Sequence, residues 1–498
     1  MSKSEKRYFK IFSAQHTAKE EKNYIKIFNV IDKQDVYNEN KLLKLFSEEK
    51  TTNALHAAKS YLYYLILKAL RNYHAGKSTE REIHELLDHI ELLYEKQLYK
   101  QCLKVLQRVF EIASKTEHFL HLLKIYKWRY KILRETQDVE DLKELLNFAP
   151  SEELLLIKQY KNCREYDWLL TEIFITYKET GHIRNKDEGL IYEAIMSKIS
   201  GENNKLLSKR AKISSVWISY FNAYIHSDYV QAYYYTKQII QLIESFPDFE
   251  KEYAKMYILT LDNLVLVASK TKKNYEEISA YVAKIRALKG DTDLVKEMIF
   301  CYSYGMELRY YFITGKFKEG IQSVKKLEAQ IAANKKTMNS LFIQNTYQNM
   351  IYLYFGAMEY TKALEYVNKF INKEVNARYN IDCDIHIINL IIHYELGNTD
   401  LLEYLLKSTY RFLYKRGRLL QFESHILGFM RNVIHSRNAP HNIKEAFKDL
   451  KEKLLLLSED PFEKRVYEQF DYISWLESKI ENRNFADVIR EKAINGHE

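Results

Sequence analysis

A chain of 498 residues is longer than a single compact core normally grows, so it forms either several domains or one elongated array of repeats. Four prolines and thirteen glycines leave almost every stretch free to run as helix, since an interior proline costs about 3 kcal/mol and a glycine about 1 kcal/mol relative to alanine. The net charge is +9, and residues 1–77 carry fifteen Lys/Arg against eight Asp/Glu, so the positive charge is concentrated at the N-terminal end.

These features exclude several classes. Cys102, Cys163, Cys301 and Cys383 lie too far apart for a zinc module or a disulfide framework, and reduced thiols fit the cytosol. The opening MSKSEKRYFKIF has no apolar leader core, and the longest aliphatic and aromatic run, Tyr61 to Leu67, is far short of a membrane span. A cytoplasmic protein, neither secreted nor membrane-embedded, is expected. The forty-one tyrosines suit half-buried helix seams, where a ring is covered while its hydroxyl stays wet.

Residues 1–77 read as a basic cluster of helices. Thr17 to Glu20 matches a capping box, and Tyr24, Ile27, Phe28 and Ile31 recur at helical spacing, predicting a helix over residues 18–34. Asn38 caps a short helix carrying Leu42, Leu43, Leu45 and Phe46. Thr51 or Thr52 then opens a long one through Leu55, Leu62, Leu65, Ile66 and Ala69, with Gly76 as its stop. A helix-turn-helix reading of this cluster would aim Asn53, His56 and Lys59 at a DNA groove and bring Lys41, Lys44 and Arg71 to phosphates. Against it, Tyr61, Tyr63 and Tyr64 make the long helix apolar on most sides, as a buried helix requires. The plain reading is a basic, solvated cap.

From residue 80 to 437 one pattern recurs: an apolar helix, a polar or glycine break, an aromatic, and three residues later a small or apolar residue in a second helix. It is clearest at Tyr360 with Ala363 and at Phe317 with Gly320. Weaker copies place Tyr99 before Cys102, Val139 before Leu142, Tyr229 before Ala232, Tyr275 before Ile278 and Thr399 before Leu402. Successive second helices start 39 to 46 residues apart, with one double step of 90. Pro150, Pro247, Pro440 and Pro461 fall where apolar periodicity lapses and read as helix stops. Residues 438–498 depart from the pattern, with turn chemistry at Asn438 to Asn442 and two further helices, as a capping segment would.

The aromatic and small residues after a Gly-x-aromatic turn, best seen at Gly315, Phe317 and Gly320, resemble the tetratricopeptide repeat family. That resemblance implies an all-α, right-handed solenoid of antiparallel helix pairs, here with helices longer than the family's usual repeat. It also implies a concave groove lined by first helices. Mapping the offsets places Trp217, Phe221, Asn263, Arg309, Phe312, Asn345, Gln348, Tyr352 and Phe355 on or near that face, a mixture of amides, a guanidinium and rings suited to an extended peptide.

Other clusters carry less chemistry. Lys124, Lys127, Arg129, Lys131 and Arg134 interleave with Tyr126, Trp128 and Tyr130, a composition that can grip nucleic acid but spreads around a whole helix. His84 and His89 miss metalloprotease spacing. His118 with His121, and Asp382 with His386 and His393, share helix faces without the three or four ligands a metal needs. Glu179-x-x-His182 straddles Gly181. No phosphate loop or nucleophile elbow is present in the sequence. The expectation is a non-enzymatic scaffold without cofactor or metal that binds a protein or peptide in its groove, the alternative being a nucleic-acid-binding regulator using residues 1–77.

Overall fold

The computed structural model describes the chain except for residues 16–21, 35, 47–51, 77, 181–182, 184, 200–204, 272–274, 335–339, 373–378, 436–439, 458–459, 461–462, 464–469 and 496–498. The expected capping box at Thr17 to Glu20, the helix start at Thr51, Gly181 with His182, the turn at Asn438 and Ala439, and Pro461 lie outside the described residues, as do the side chains of Lys44, Asn53 and Asp382.

Among the described residues the chain has twenty-four helices and no strand. They are α1 (Lys3–Gln15), α2 (Lys22–Asp32), α3 (Glu39–Phe46), α4 (Thr52–Tyr73), α5 (Thr79–Glu95), α6 (Tyr99–Lys115), α7 (Phe119–Thr136) and α8 (Val139–Thr180). Next come α9 (Lys186–Ser197), α10 (Lys209–Ile225), α11 (Tyr229–Glu244), α12 (Phe249–Glu252), α13 (Ala254–Thr271), α14 (Tyr275–Ala287), α15 (Asp293–Ile313) and α16 (Phe317–Asn334). The last are α17 (Ser340–Gly356), α18 (Tyr360–Ile371), α19 (Tyr379–Glu395), α20 (Thr399–Lys415), α21 (Gln421–His435), α22 (Pro440–Leu457), α23 (Tyr472–Glu481) and α24 (Phe485–Asn495). No described helix is long and apolar enough to cross a membrane. Contacts divide the chain into two units: Met1–Ser114 with Lys124–Leu146 and Asp291–Asp293, and Lys115–Leu123 with Asn147–Gly290 and Leu294–Glu498.

In the first unit α4 is the central helix of the N-terminal cluster. Its Leu55, Leu62, Leu65 and Ala69 recur on one helical stripe and pack against Phe9 and Phe12 of α1, Tyr24, Ile27 and Phe28 of α2, and Leu42 of α3. The pattern reading missed α1, although Phe9 and Phe12 stand one turn apart. It also expected the tyrosines of α4 to be buried. Tyr63 and Tyr64 are instead 65% and 57% exposed, because they lie about 100° and 200° around the helix from Leu62.

Several helices, in both units, end in one local device. Gln97, Ser227, Gly315, Met358 and Gly397 adopt positive φ two residues ahead of the next helix. The N–H of the following residue donates to the carbonyl five positions back: Leu98 to Leu93 at 2.9 Å, Asp228 to Ala223 at 2.9 Å, Lys316 to Tyr311 at 2.9 Å, Glu359 to Tyr354 at 2.9 Å and Asn398 to His393 at 3.0 Å. This closes the helix with a Schellman turn and satisfies a carbonyl that would otherwise lack a partner. The next residue begins the second helix, and it is Tyr99, Tyr229, Phe317, Tyr360 or Thr399, as the repeat pattern placed it. Val139 and Tyr275 likewise begin α8 and α14. Three residues on, Cys102, Ala232, Ile278, Ala363 and Leu402 are fully buried. Gly356 has a separate role: a Cβ there would overlap the ring of Phe317, so the ring sits directly on backbone.

In the second unit helices pack mainly on their neighbours in sequence, from α10 on α11 through to α23 on α24. Polar contacts also join residues about one step apart: Tyr220 with Asn263, Lys237 with Glu277, Lys284 with Glu244, Arg309 with Asp262 and Tyr366 with Glu328, separations of 38 to 47 residues.

The prolines do not all act as expected. Pro150 lies inside the 42-residue α8, where one missing N–H leaves the other helical hydrogen bonds in place. Pro247 separates α11 from α12, and Pro440 begins α22, where its missing N–H has no intrahelical partner to lose.

The C-terminal helices share a core with α16 to α21 through Phe470, Tyr472, Trp475, Leu476, Phe485 and Ile489. Trp475 Nε1 donates to Glu395 at 2.7 Å, and Arg490 Nε donates to the Gly315 carbonyl at 3.1 Å, across 175 residues of chain.

Two glycines separate turn conformation from helix propensity. Both Gly397, at φ +69°, and Gly428, inside α21, have open space where a Cβ would stand. Gly397→Ala is expected to lower the unfolding free energy by about 1 kcal/mol, whereas Gly428→Ala raises it by a similar amount. Chemical denaturation of both variants checks the pair.

Candidate functional site

The residues mapped to the groove separate according to what covers them. Trp217 is buried, with ring centroids 5.2 Å from Tyr220 and 5.9 Å from Phe221, and Phe221 is half-buried beside Tyr177 at 6.1 Å. Asn263 accepts the Tyr220 hydroxyl at 3.0 Å and donates to the Leu259 carbonyl at 2.9 Å, so its amide ties α13 to α10.

Phe312, Tyr352 and Phe355 do come together, but the chain itself covers them. Phe470 stands 6.2, 5.7 and 5.0 Å from their ring centroids, and Phe485 stands 5.7 Å from Phe355. Tyr352 and Phe355 are buried, which corrects their assignment to an open groove. The reason is nonlocal: aromatics more than a hundred residues later in the sequence dock on the face that the repeat pattern leaves bare.

Beneath this contact Tyr352 and Tyr472 donate their hydroxyls to the two oxygens of the buried Asp384 carboxylate, the second at 2.6 Å, and the Gln348 amide donates to the Tyr352 oxygen at 3.1 Å. Burial pushes the Asp384 carboxyl above its ordinary value of 3.8, opposed by the two hydroxyls and by the charge of Lys270. Burial, with the charge of Asp384, pushes both phenols well above 10.

Arg309 and Asn345 remain accessible and line the same cavity, a space of about 280 Å³ enclosed by α13, α15 and α17. On α15 the lining follows successive turns, Glu297, Cys301, Gly305 and Arg309, at i, i+4, i+8 and i+12. Gly305 leaves the middle of this row without a side chain, and a Cβ there would meet nothing within 4 Å. From α17 come Asn345 and Asn349, one turn apart, and from α13 comes Asp262, whose Oδ1 accepts from Arg309 Nη1 at 3.4 Å. Leu259, Met298 and Phe342 supply apolar wall. Burial pushes the Cys301 thiol up, with the charge of Glu297 adding to it, so the sulfur stays protonated and is a poor nucleophile. Charges of both signs, paired amides and apolar wall are the ingredients of a recognition pocket. Asp262, Glu297 and Asn349 escaped the offset mapping; the four-residue row through Gly305 is the signal that could have found them.

On the first unit Lys41, His56 and Arg71 are exposed, with Arg71 3.8 Å from Asp88. Lys59 is engaged by Glu39 and by the Tyr37 hydroxyl at 3.3 Å, which turns its charge onto its own unit. The basic aromatic cluster of α7 is also internally matched: Lys131 lies 4.0 Å over the Tyr94 ring and 4.8 Å over Trp128. His118 contacts Glu252 at 3.3 Å, and His386 stacks on Phe412 at 3.9 Å with its pKa lowered to about 4 by burial and by Arg416. Among the described residues no three His, Cys, Asp or Glu side chains converge as metal ligands.

The raised Asp384 pKa fixes the sign of a pH effect. A carboxyl that holds its proton more tightly when folded loses stability as pH rises from its unfolded value to its folded one. Asp384→Asn has no such loss, so its stability relative to the parent chain should increase between about pH 4 and pH 7, measured by urea unfolding. Tyr472→Phe, which strips one hydroxyl from the carboxylate, should cost about 1–3 kcal/mol at neutral pH in the same assay.

Comparison of the chain with protein-family models, with curated proteins and with solved structures gives no match.

Proposed function

We propose that this chain is a non-enzymatic interaction scaffold, a right-handed solenoid of antiparallel, tetratricopeptide-like helix pairs that binds a peptide or partner segment in the cavity of α13, α15 and α17. The observation that carries the reading is the convergence of Arg309, Asn345, Asn349, Asp262 and Glu297 on one accessible cavity. These groups come from three helices, each of which precedes a second helix of the repeat pattern, so they occupy equivalent places in successive repeats. The recurring Schellman turns and the polar contacts at 38 to 47 residues support the repeat architecture. Asn side chains can satisfy the backbone of an extended segment, while the apolar wall takes a side chain. A cytoplasmic setting accords with four buried free thiols.

Gly305 provides a test that separates binding from folding. Gly305→Leu places a side chain into the cavity without backbone strain and improves helix propensity by nearly 1 kcal/mol. The variant should melt no lower than the parent chain, yet lose the partner that the parent chain retains from native lysate. Arg309→Ala with Asn345→Ala should lose it too, by about tenfold or more in affinity. Retention should survive nuclease and moderate salt. Equal retention by all three chains would sink the groove reading, and retention that disappears with nuclease or on removing residues 1–77 would favour the nucleic-acid alternative.

A further inference from the structure

We infer that the cavity takes the cationic side chain of a lysine or arginine carried by a peptide, a proposal that rests on the peptide-binding reading above. The first ground is charge. Two carboxylates, Asp262 and Glu297, line the cavity against one guanidinium, Arg309. Arg309 is already drawn to Asp262 at 3.4 Å, and the lining as a whole is net negative. A peptide carboxylate would meet Arg309 only in competition with Asp262 and with Glu297 beside it, whereas an ammonium or guanidinium brings the lining to neutrality.

The second ground is shape. A volume of about 280 Å³ accommodates one long side chain and adjoining backbone, and not a folded domain. Lysine and arginine have apolar stems with charged ends, which matches walls from Leu259, Met298 and Phe342 around a charged lining. The aromatic rings of Tyr302 and Phe342 in the same lining can also face a cation. Asn345 is exposed at the edge of the cavity, with Asn349 one turn further along α17, where amides can reach the backbone that carries the inserted side chain.

The test uses the full chain and a phage-displayed library of random dodecapeptides, with recovered peptides resynthesised and measured by fluorescence anisotropy. Recovered peptides should share a lysine or arginine, and replacing it by norleucine should weaken binding at least about tenfold, the size expected of one charge-assisted contact. The same replacement should cost much less in an Asp262→Asn, Glu297→Gln chain. Because norleucine alters the peptide alone, the comparison holds even if the double variant folds poorly. Peptides blocked by Gly305→Leu but indifferent to norleucine would overturn the cationic assignment and leave the groove standing. Recovery of no peptide, or only of peptides indifferent to Gly305→Leu, would sink both.

Discussion

The contact between Phe470 and Phe485 and the row of Phe312, Tyr352 and Phe355 decides what this chain can present to a ligand. A helical array whose members lean on their sequence neighbours leaves one face of its first helices bare, and three aromatic rings on such a face are a large apolar liability. The chain resolves this with its own C-terminal residues. Once Phe470 and Tyr472 are seated, Asp384 is sealed from water and must be satisfied from within, which the Tyr352 and Tyr472 hydroxyls do. Trp475 and Lys479 both reach Glu395, and the closure extends to the end of α19.

The cavity of α13, α15 and α17 differs from that covered face in the chemistry it exposes. Where Phe312, Tyr352 and Phe355 offer rings, the cavity offers Asp262, Glu297, Arg309 and two asparagines. Groups of that kind tolerate water, so they need no intramolecular cover. Gly305 keeps the space between them open at a cost in helix propensity of about 1 kcal/mol, a cost that an ordinary surface helix has no reason to carry.

How much of this was legible in the sequence depends on how local each cause is. The starts of α6, α8, α11, α14, α16, α18 and α20 could be read from a few residues, because a Schellman turn, the residue that opens the next helix and the small or apolar residue after it all lie within one short window. Even Gln97 and Met358, which lack the glycine such turns favour, were betrayed by Tyr99 with Cys102 and Tyr360 with Ala363. Tyr352 and Phe355 were grouped with the right neighbours for the wrong reason, since what covers them lies more than a hundred residues away. The rotation of α15 that turns Glu297 and Arg309 to one side depends on its packing, and no single-residue pattern announces it. Pro150 misled because a proline reports the loss of one hydrogen bond, not the strength of the helix around it.

The bond from Arg490 to the Gly315 carbonyl spans 175 residues, and that span bears on how the protein is made. Local turns let each helix pair form as it leaves the ribosome, but the rings of α15 and α17 must wait for α24 to be synthesised before they are covered. During that interval the nascent chain displays an uncovered aromatic face, the sort of surface that chaperones bind and that neighbouring chains on a polysome can join. A stop codon just after α22 would make that interval permanent. Such a shortened product would keep nearly all its helix and still be prone to aggregate.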